Sequence, residues 1–186
     1  MGIGNLITVY TMETEIYGSL QNEADSLSTL IYFHLSELQD RAFQGESYRG
    51  AKMTEDDIKA YKWAIKREGY VLETRTFQSS SILISVAQGF VQGKKNDNDQ
   101  HDSRLSVLLT LVFPQKCPTA ITLTEPETLP FLSEFAHEKE VLILPFTLFS
   151  VKEIKIDSQN GQHHITLINV PTPKTSLSDA AKCIET

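Results

Sequence analysis

Glu138 and Glu140 flank Lys139 just before the apolar run Val141-Leu142-Ile143-Leu144-Pro145. Successive residues of a strand point to opposite faces, so an i, i+2 pair at the mouth of such a strand projects both carboxylates to one side. Two anions facing one cleft suit a cationic partner, which they orient by charge-assisted hydrogen bonds. Alone, the pair is a common solvated strand end. Its company gives it meaning.

The chain has 186 residues, 40% of them apolar, enough for one domain with a sizeable core. Residues 1–170 are expected to form that domain and 171–186 a tail or linker. Seventeen Lys plus Arg against 24 Asp plus Glu give a net charge of −7, which disfavours nucleic acid or an anionic membrane as partner. No secretory signal opens the chain and no segment reaches 18 uninterrupted apolar residues, so the expectation is a soluble monomer with no membrane insertion. It would be cytoplasmic, or secreted if a leader has been trimmed. Cys117 and Cys183 are too few for a disulfide framework, a single bridge being left open, and they lack metal-ligand spacing with any His. The adjacent His163 and His164 read as ordinary surface residues.

Residues 10–44 read as helical, with Leu27, Leu30, Ile31, Leu35, Leu38 and Ala42 on the stripe. After a turn at Gly45, Ser47-Tyr48-Arg49-Gly50 looks like a short strand edge. Thr54-Glu55-Asp56-Asp57 is a capped helix start, with Ile58, Tyr61 and Ile65 as buried stripe and Gly69 as stop. From Tyr70 the texture turns to short β-prone runs: 70–72, 105–113, 120–123, 141–144, 149–156 and 164–170, with 82–90 as a possible short helix. Asn160-Gly161 predicts a hairpin turn. Residues 93–103 form a polar loop whose Asp/Asn run fails the calcium-loop pattern, since Asp102 and Leu108 stand where Gly and Glu are required.

Several signatures are excluded. Gly2-Ile3-Gly4 is followed by Ile7 where a dinucleotide fingerprint needs its third glycine, no phosphate-binding loop ends in Lys-Ser/Thr, and Ser79-Ser80-Ser81 lacks the glycines of a nucleophile elbow. Leu6 stands where a myristoylation signal needs Ser or Thr.

What remains is an ordered set: Tyr48-Arg49-Gly50, then Phe77-Gln78-Ser79-Ser80-Ser81 with Ala87 and Phe90 beyond, then Glu138-Lys139-Glu140-Val141-Leu142. This order resembles the R-S-E class of mono-ADP-ribosyltransferases, the family of the arginine-specific vertebrate ecto-enzymes and several bacterial toxins. The resemblance covers nearly the whole chain, with Val9-Tyr10-Thr11, Tyr17 and Leu20 as its helical lead-in and 140–151 as its closing strands. It implies an α+β domain, the ADP-ribosyltransferase fold, in which N-terminal helices pack on a split antiparallel β-sandwich with an NAD cleft.

The resemblance also implies the chemistry: NAD is the co-substrate, no metal is needed, and ADP-ribose passes from nicotinamide to a protein arginine. The difficulty is positive charge developing on the ribose, as in glycoside hydrolysis. By motif position Glu140 stabilises that charge, and Glu138 orients the acceptor guanidinium and can take its proton. Arg49 grips the NAD phosphates, a task for paired guanidinium donors. Gly50 lets the nicotinamide amide approach the backbone, Ser79 holds Glu140 and the ribose, and Phe90 either stacks on nicotinamide or belongs to the core. Ser80 replaces the usual Thr. The loop 128–137, with Phe131 and Phe135 as exposed aromatics, shapes the target surface, and Ala136-His137 stand where many relatives have Pro. The alternatives are NAD glycohydrolysis, with water as acceptor, and a catalytically silent interaction module of the same fold.

Overall fold

The structure is a computed structural model, and it describes residues 7, 24–92, 103–124, 128–133 and 135–171. Among the described residues, three α-helices and seven strands follow in the order α1 (Ala24–Phe33), a 3-10 helix (Leu35–Arg41), β1 (Ala42–Met53), α2 (Glu55–Ala64), β2 (Leu72–Glu73), β3 (Gln78–Ser81), α3 (Ile84–Gln92), β4 (Leu105–Thr122), a 3-10 turn (Ala136–Glu138), β5 (Glu140–Ile143), β6 (Leu148–Ile156) and β7 (His163–Asn169). The fold is α+β, with mostly antiparallel pairing, as expected. Among the described residues the parallel pair β4–β7 is the exception.

β4 organises the sheet. Residues 105–113 pair with β1 on one side, residues 107–112 pair with β7 on the other, and after a bend 120–122 pair with β5. Pro114 and Pro118 mark the bend, because proline cannot donate to a ladder and is tolerated at bulges. Opposite them the β1 register slips twice, and Gly45 takes φ +129° there, a conformation open to glycine. β3 bridges β1 and β5, so β1, β3, β5 and β4 close into a ring and β7, β6 and β2 continue outward.

β5 is buried on both faces. Val141 and Ile143 join the cluster of Leu109, Leu111 and Phe113 inside the ring, whereas Leu142 and Leu144 pack with Ile31 and Leu38 of the helical layer. That double burial explains an unbroken apolar run where a one-sided strand would alternate.

Several expectations change. The helical reading of 10–44 stops early: α1 ends at Phe33 and β1 begins at Ala42, where eleven register partners on β4 capture the chain. Leu30 is exposed, because helix neighbours lie about 100° apart and Ile31 takes the inward place. Arg49 lies in the middle of a twelve-residue strand and not on a short edge. Runs 105–113 and 120–123 are one strand. The segment 84–92 is helical.

Thr54 caps α2 as expected: its hydroxyl accepts from the Asp57 amide at 3.2 Å, and the Asp57 carboxylate accepts from the Thr54 amide at 2.8 Å. The helix ends at Ala64, before Gly69, and Ala64 is buried in place of Ile65. His163 is buried too, paired between Val107 and Ile156, and burial together with the charge of Lys62 lowers its pKa. Asn160 and Gly161 lie in a longer connection than a two-residue turn, residues 157–162 between β6 and β7, closed by the Gly161 amide donating to the Asp157 carbonyl at 2.8 Å; Gly161 takes φ +71° and Asn160 does not take a positive φ. The lead-in residues 9–20, the loop 93–102, the tail from 172 and Cys183 lie outside the described residues. Cys117 is a buried free thiol.

Candidate active site

A cavity of about 260 Å³ opens between β1, β3 and α3, and Arg49, Gly50, Ser79, Phe90 and Glu138 all line it. Residues far apart in sequence thus meet at one place. The register explains how: Tyr48 pairs with Ser81, and Ser81 pairs with Glu140, so the three motifs sit on three adjacent strands.

The Arg49 guanidinium crosses from β1 to β3 and donates to the Ser79 carbonyl at 2.6 Å. Phe90 is 65% exposed on α3, which makes it a cavity residue and not a core one. Gly50 is required for a reason the sequence did not disclose. A Cβ there would lie 2.2 Å from the Ala87 carbonyl oxygen and 2.7 Å from a Val91 methyl, so glycine lets α3 close onto β1.

The three serines divide their work. Ser79 faces the cavity, and its hydroxyl acts on the Glu140 carboxylate against the rise in pKa that burial causes. Ser80 is buried; its hydroxyl donates to the Val141 carbonyl of β5 at 3.0 Å and lies 3.0 Å from the Ser47 hydroxyl of β1, from which it can accept, and this links the neighbouring strands. Ser81 donates to the Glu138 carbonyl at 2.5 Å and accepts from the Leu83 amide at 2.9 Å, joining the glutamate turn to the start of α3.

The glutamate pair departs from a simple strand end. Glu138 belongs to a 3-10 turn, Lys139 follows at φ +43°, and only Glu140 is in β5. The left-handed residue is uncommon outside glycine and re-aims the chain between the two carboxylates. Glu138 lines the cavity, while Glu140 is 7% exposed behind it. Burial pushes the Glu140 carboxyl above the ordinary carboxylate range. Hydrogen bonds from Ser79 and Ser133 oppose that shift, and the charge of Glu138 adds to it.

Two residues of this site were missed in the sequence. Ser133, buried in the loop before the glutamates, donates to Glu140 Oε2 at 3.2 Å. Arg41, buried at the end of the first 3-10 helix, donates to the Thr122 carbonyl at 3.5 Å and to the Pro130 carbonyl, tying that loop to β4. Burial lowers its pKa. No sequence signal marks either, because each depends on segments that only the fold brings together. In the same loop Phe131 is exposed as expected, and Phe135 is half-buried with its ring edge toward His137.

Solved structures share this architecture. The Vis toxin, an ADP-ribosyltransferase from Vibrio splendidus, is 22% identical with a TM-score of 0.56, over 91% of this chain and 68% of that one. The chain has the ADP-ribosyltransferase fold. Vis in complex with agmatine matches at TM-score 0.57 and 22% identity, over 92% of this chain and 70% of that one. An ADP-ribosyltransferase from Clostridium botulinum matches at TM-score 0.58 and 16% identity, over 90% of this chain and 85% of that one. No protein-family model and no curated protein matches the sequence. Among the described residues of this ADP-ribosyltransferase-fold chain, no helix is long and apolar enough to cross a membrane, and no three His, Cys, Asp or Glu side chains gather as a metal site would require.

Proposed function

We propose that the protein cleaves the nicotinamide–ribose bond of NAD and transfers ADP-ribose to a protein arginine. The observation that carries this reading is one cavity presenting a guanidinium (Arg49), a hydroxyl (Ser79), an exposed ring (Phe90) and a carboxylate (Glu138), with a second carboxylate (Glu140) fixed behind it. Those groups fit a dinucleotide: Arg49 for phosphate oxygens, Ser79 for the ribose, Phe90 for stacking on the nicotinamide ring, and the backbone of Gly50 for its amide. In this reading Glu140 acts at the ribose, where a carboxylate held in a dry site stabilises developing positive charge more than one in water.

Glu138 is the acceptor residue. Its cavity-facing carboxylate suits a guanidinium, which it orients while accepting the proton released when the nitrogen bonds to the ribose carbon. The fold is shared with Vis, whose complex holds agmatine, a small guanidine, and this supports arginine as the acceptor class here. The exposed Phe131 places an apolar contact for the protein target in the loop that leads to that pair.

Incubation with NAD and agmatine tests the proposal, with ADP-ribosyl-agmatine and free ADP-ribose measured separately. The adduct is expected from the wild type. Glu138→Gln should lose the adduct yet still cleave NAD, and Glu140→Gln should lose both. Free ADP-ribose alone from the wild type would make the protein a glycohydrolase, and absence of both cleavage and calorimetric NAD binding would make it a silent module.

A further inference from the structure

Resting on the reading above, we infer that Ser133 is a positioning residue for Glu140, through which the loop that meets the acceptor controls the carboxylate that acts on the ribose. Ser133 is 6% exposed, and its Oγ has two hydrogen-bond partners. The hydroxyl donates to Glu140 Oε2 at 3.2 Å and accepts from the Phe135 amide at 3.1 Å. The same loop is anchored one residue earlier, where the Leu132 amide donates to the Leu123 carbonyl at 2.8 Å. It is closed three residues after Phe135, whose carbonyl accepts from the Glu138 amide at 2.9 Å. One hydroxyl thus connects Phe135, the turn carrying Glu138, and Glu140.

A buried carboxylate needs such donors, since an unpaired charge out of water is costly. Ser79 supplies one from β3, on the cavity side. Ser133 supplies another from the loop side, and its geometry depends on the loop's conformation. A target protein that shifts the segment around Phe131 and Phe135 therefore alters the hold on Glu140 without touching it. Among the described residues, the charged groups on the surrounding segments are His137, Glu138 and Lys139 of the same loop, Glu46, Arg49 and Lys52 of β1, and Arg41 ahead of β1; the loop sequence also carries Glu134. β3, α3 and the end of β4 contain no charged residue. Of these charges, Glu138 pushes the Glu140 carboxyl up, in the same direction as burial, and the hydroxyls of Ser79 and Ser133 oppose that rise.

The test compares wild type, Ser133→Ala and Ser133→Thr, reading NAD cleavage from pH 5 to 9 and the Glu140 carboxyl directly by carbon NMR, assigned with Glu140→Gln. Losing a hydrogen bond to a charged group should weaken ionised Glu140, so the carboxyl of Ser133→Ala should bind its proton about ten-fold more tightly, its midpoint should move to higher pH, and activity should fall more at the acid end of the range than at the alkaline end. Ser133→Thr, which keeps the hydroxyl, should follow the wild type. If Ser133→Ala does not fold, Ser133→Cys, a weak donor of similar size, must show the same direction of shift. An unchanged carboxyl midpoint in the folded Ala or Cys variant overturns the inference. A wild type that cleaves no NAD would instead overturn the functional reading, and the NMR titration would still decide whether Ser133 holds Glu140.

Discussion

Val141 to Leu144, the apolar part of β5 and the residue after it, are 0–1% exposed and lie between two apolar clusters, whereas the three residues before them carry two carboxylates and a left-handed lysine. The two regions are contiguous in sequence and opposite in physical character. The apolar part gains from burial on both faces; the polar part places a charge where burial disfavours it. The comparison teaches that the strand's stability lies just beyond its chemistry, so a rigid, doubly buried segment can hold an unfavourable carboxylate at its first position. Such division fits the role proposed for Glu140, a preorganised charge acting in a dry site.

Breaking the polar side should abolish function and spare the fold. Glu140→Gln is expected to reduce NAD cleavage on the order of 10²–10³-fold, the usual cost of removing a preorganised electrostatic partner. Stability should move the other way. The folded-state carboxyl of Glu140 is raised, so the folded protein holds that proton more tightly than the unfolded chain does. The group therefore adds stability as pH falls from neutral through the folded midpoint toward the unfolded one, and costs stability above that window. Melting at pH 8 and pH 5 should show Glu140→Gln more stable than wild type at the higher pH, with the gap narrowing at the lower.

Breaking the apolar side should do the reverse. Ile143→Ala removes a fully buried side chain on the face turned toward Leu109 and Phe113, at an expected cost of about 3 kcal/mol. Denaturant titration measures that loss. The folded fraction should keep wild-type NAD cleavage per molecule, because the residue points into the core and lines no part of the cavity.

What could be read from the sequence follows the same line. The apolar run 141–144, the Thr54 cap and the Asn160-Gly161 turn are local signals, each legible because a few consecutive residues decide the outcome. The order of the Arg, Ser and Glu motifs foretold that their residues meet, and Arg49, Gly50, Ser79, Phe90 and Glu138 do line one cavity. β1 was harder to see. Ala42–Met53 contains no Val, Ile or Thr, and its strand conformation comes from pairing with β4 rather than from its own propensity. Glu140's burial, the Ser133 and Arg41 contacts, and the packing need at Gly50 arise between distant segments, where no local pattern exists to read.

The smallest expected effect sharpens the boundary itself. Lys139 sits at φ +43° between the two glutamates, and a non-glycine residue loses about 1–2 kcal/mol in that conformation, partly offset in a glycine variant by a more flexible unfolded chain. Comparing Lys139→Gly with Lys139→Ala removes the lysine side chain from both and isolates the backbone contribution. The glycine variant should be more stable by about 0.5–1 kcal/mol in denaturant titration. If the bend also serves to aim Glu138 relative to Glu140, relaxing it should raise the ratio of free ADP-ribose to ADP-ribosyl-agmatine in Lys139→Gly above that in Lys139→Ala. Equal ratios with the stability difference intact would mean that the hydrogen bonds from Ser81 to the Glu138 carbonyl, from Ile82 to the Lys139 carbonyl and from Glu138 to the Phe135 carbonyl fix the Glu138 turn, and that the left-handed residue is a consequence of the turn rather than its cause.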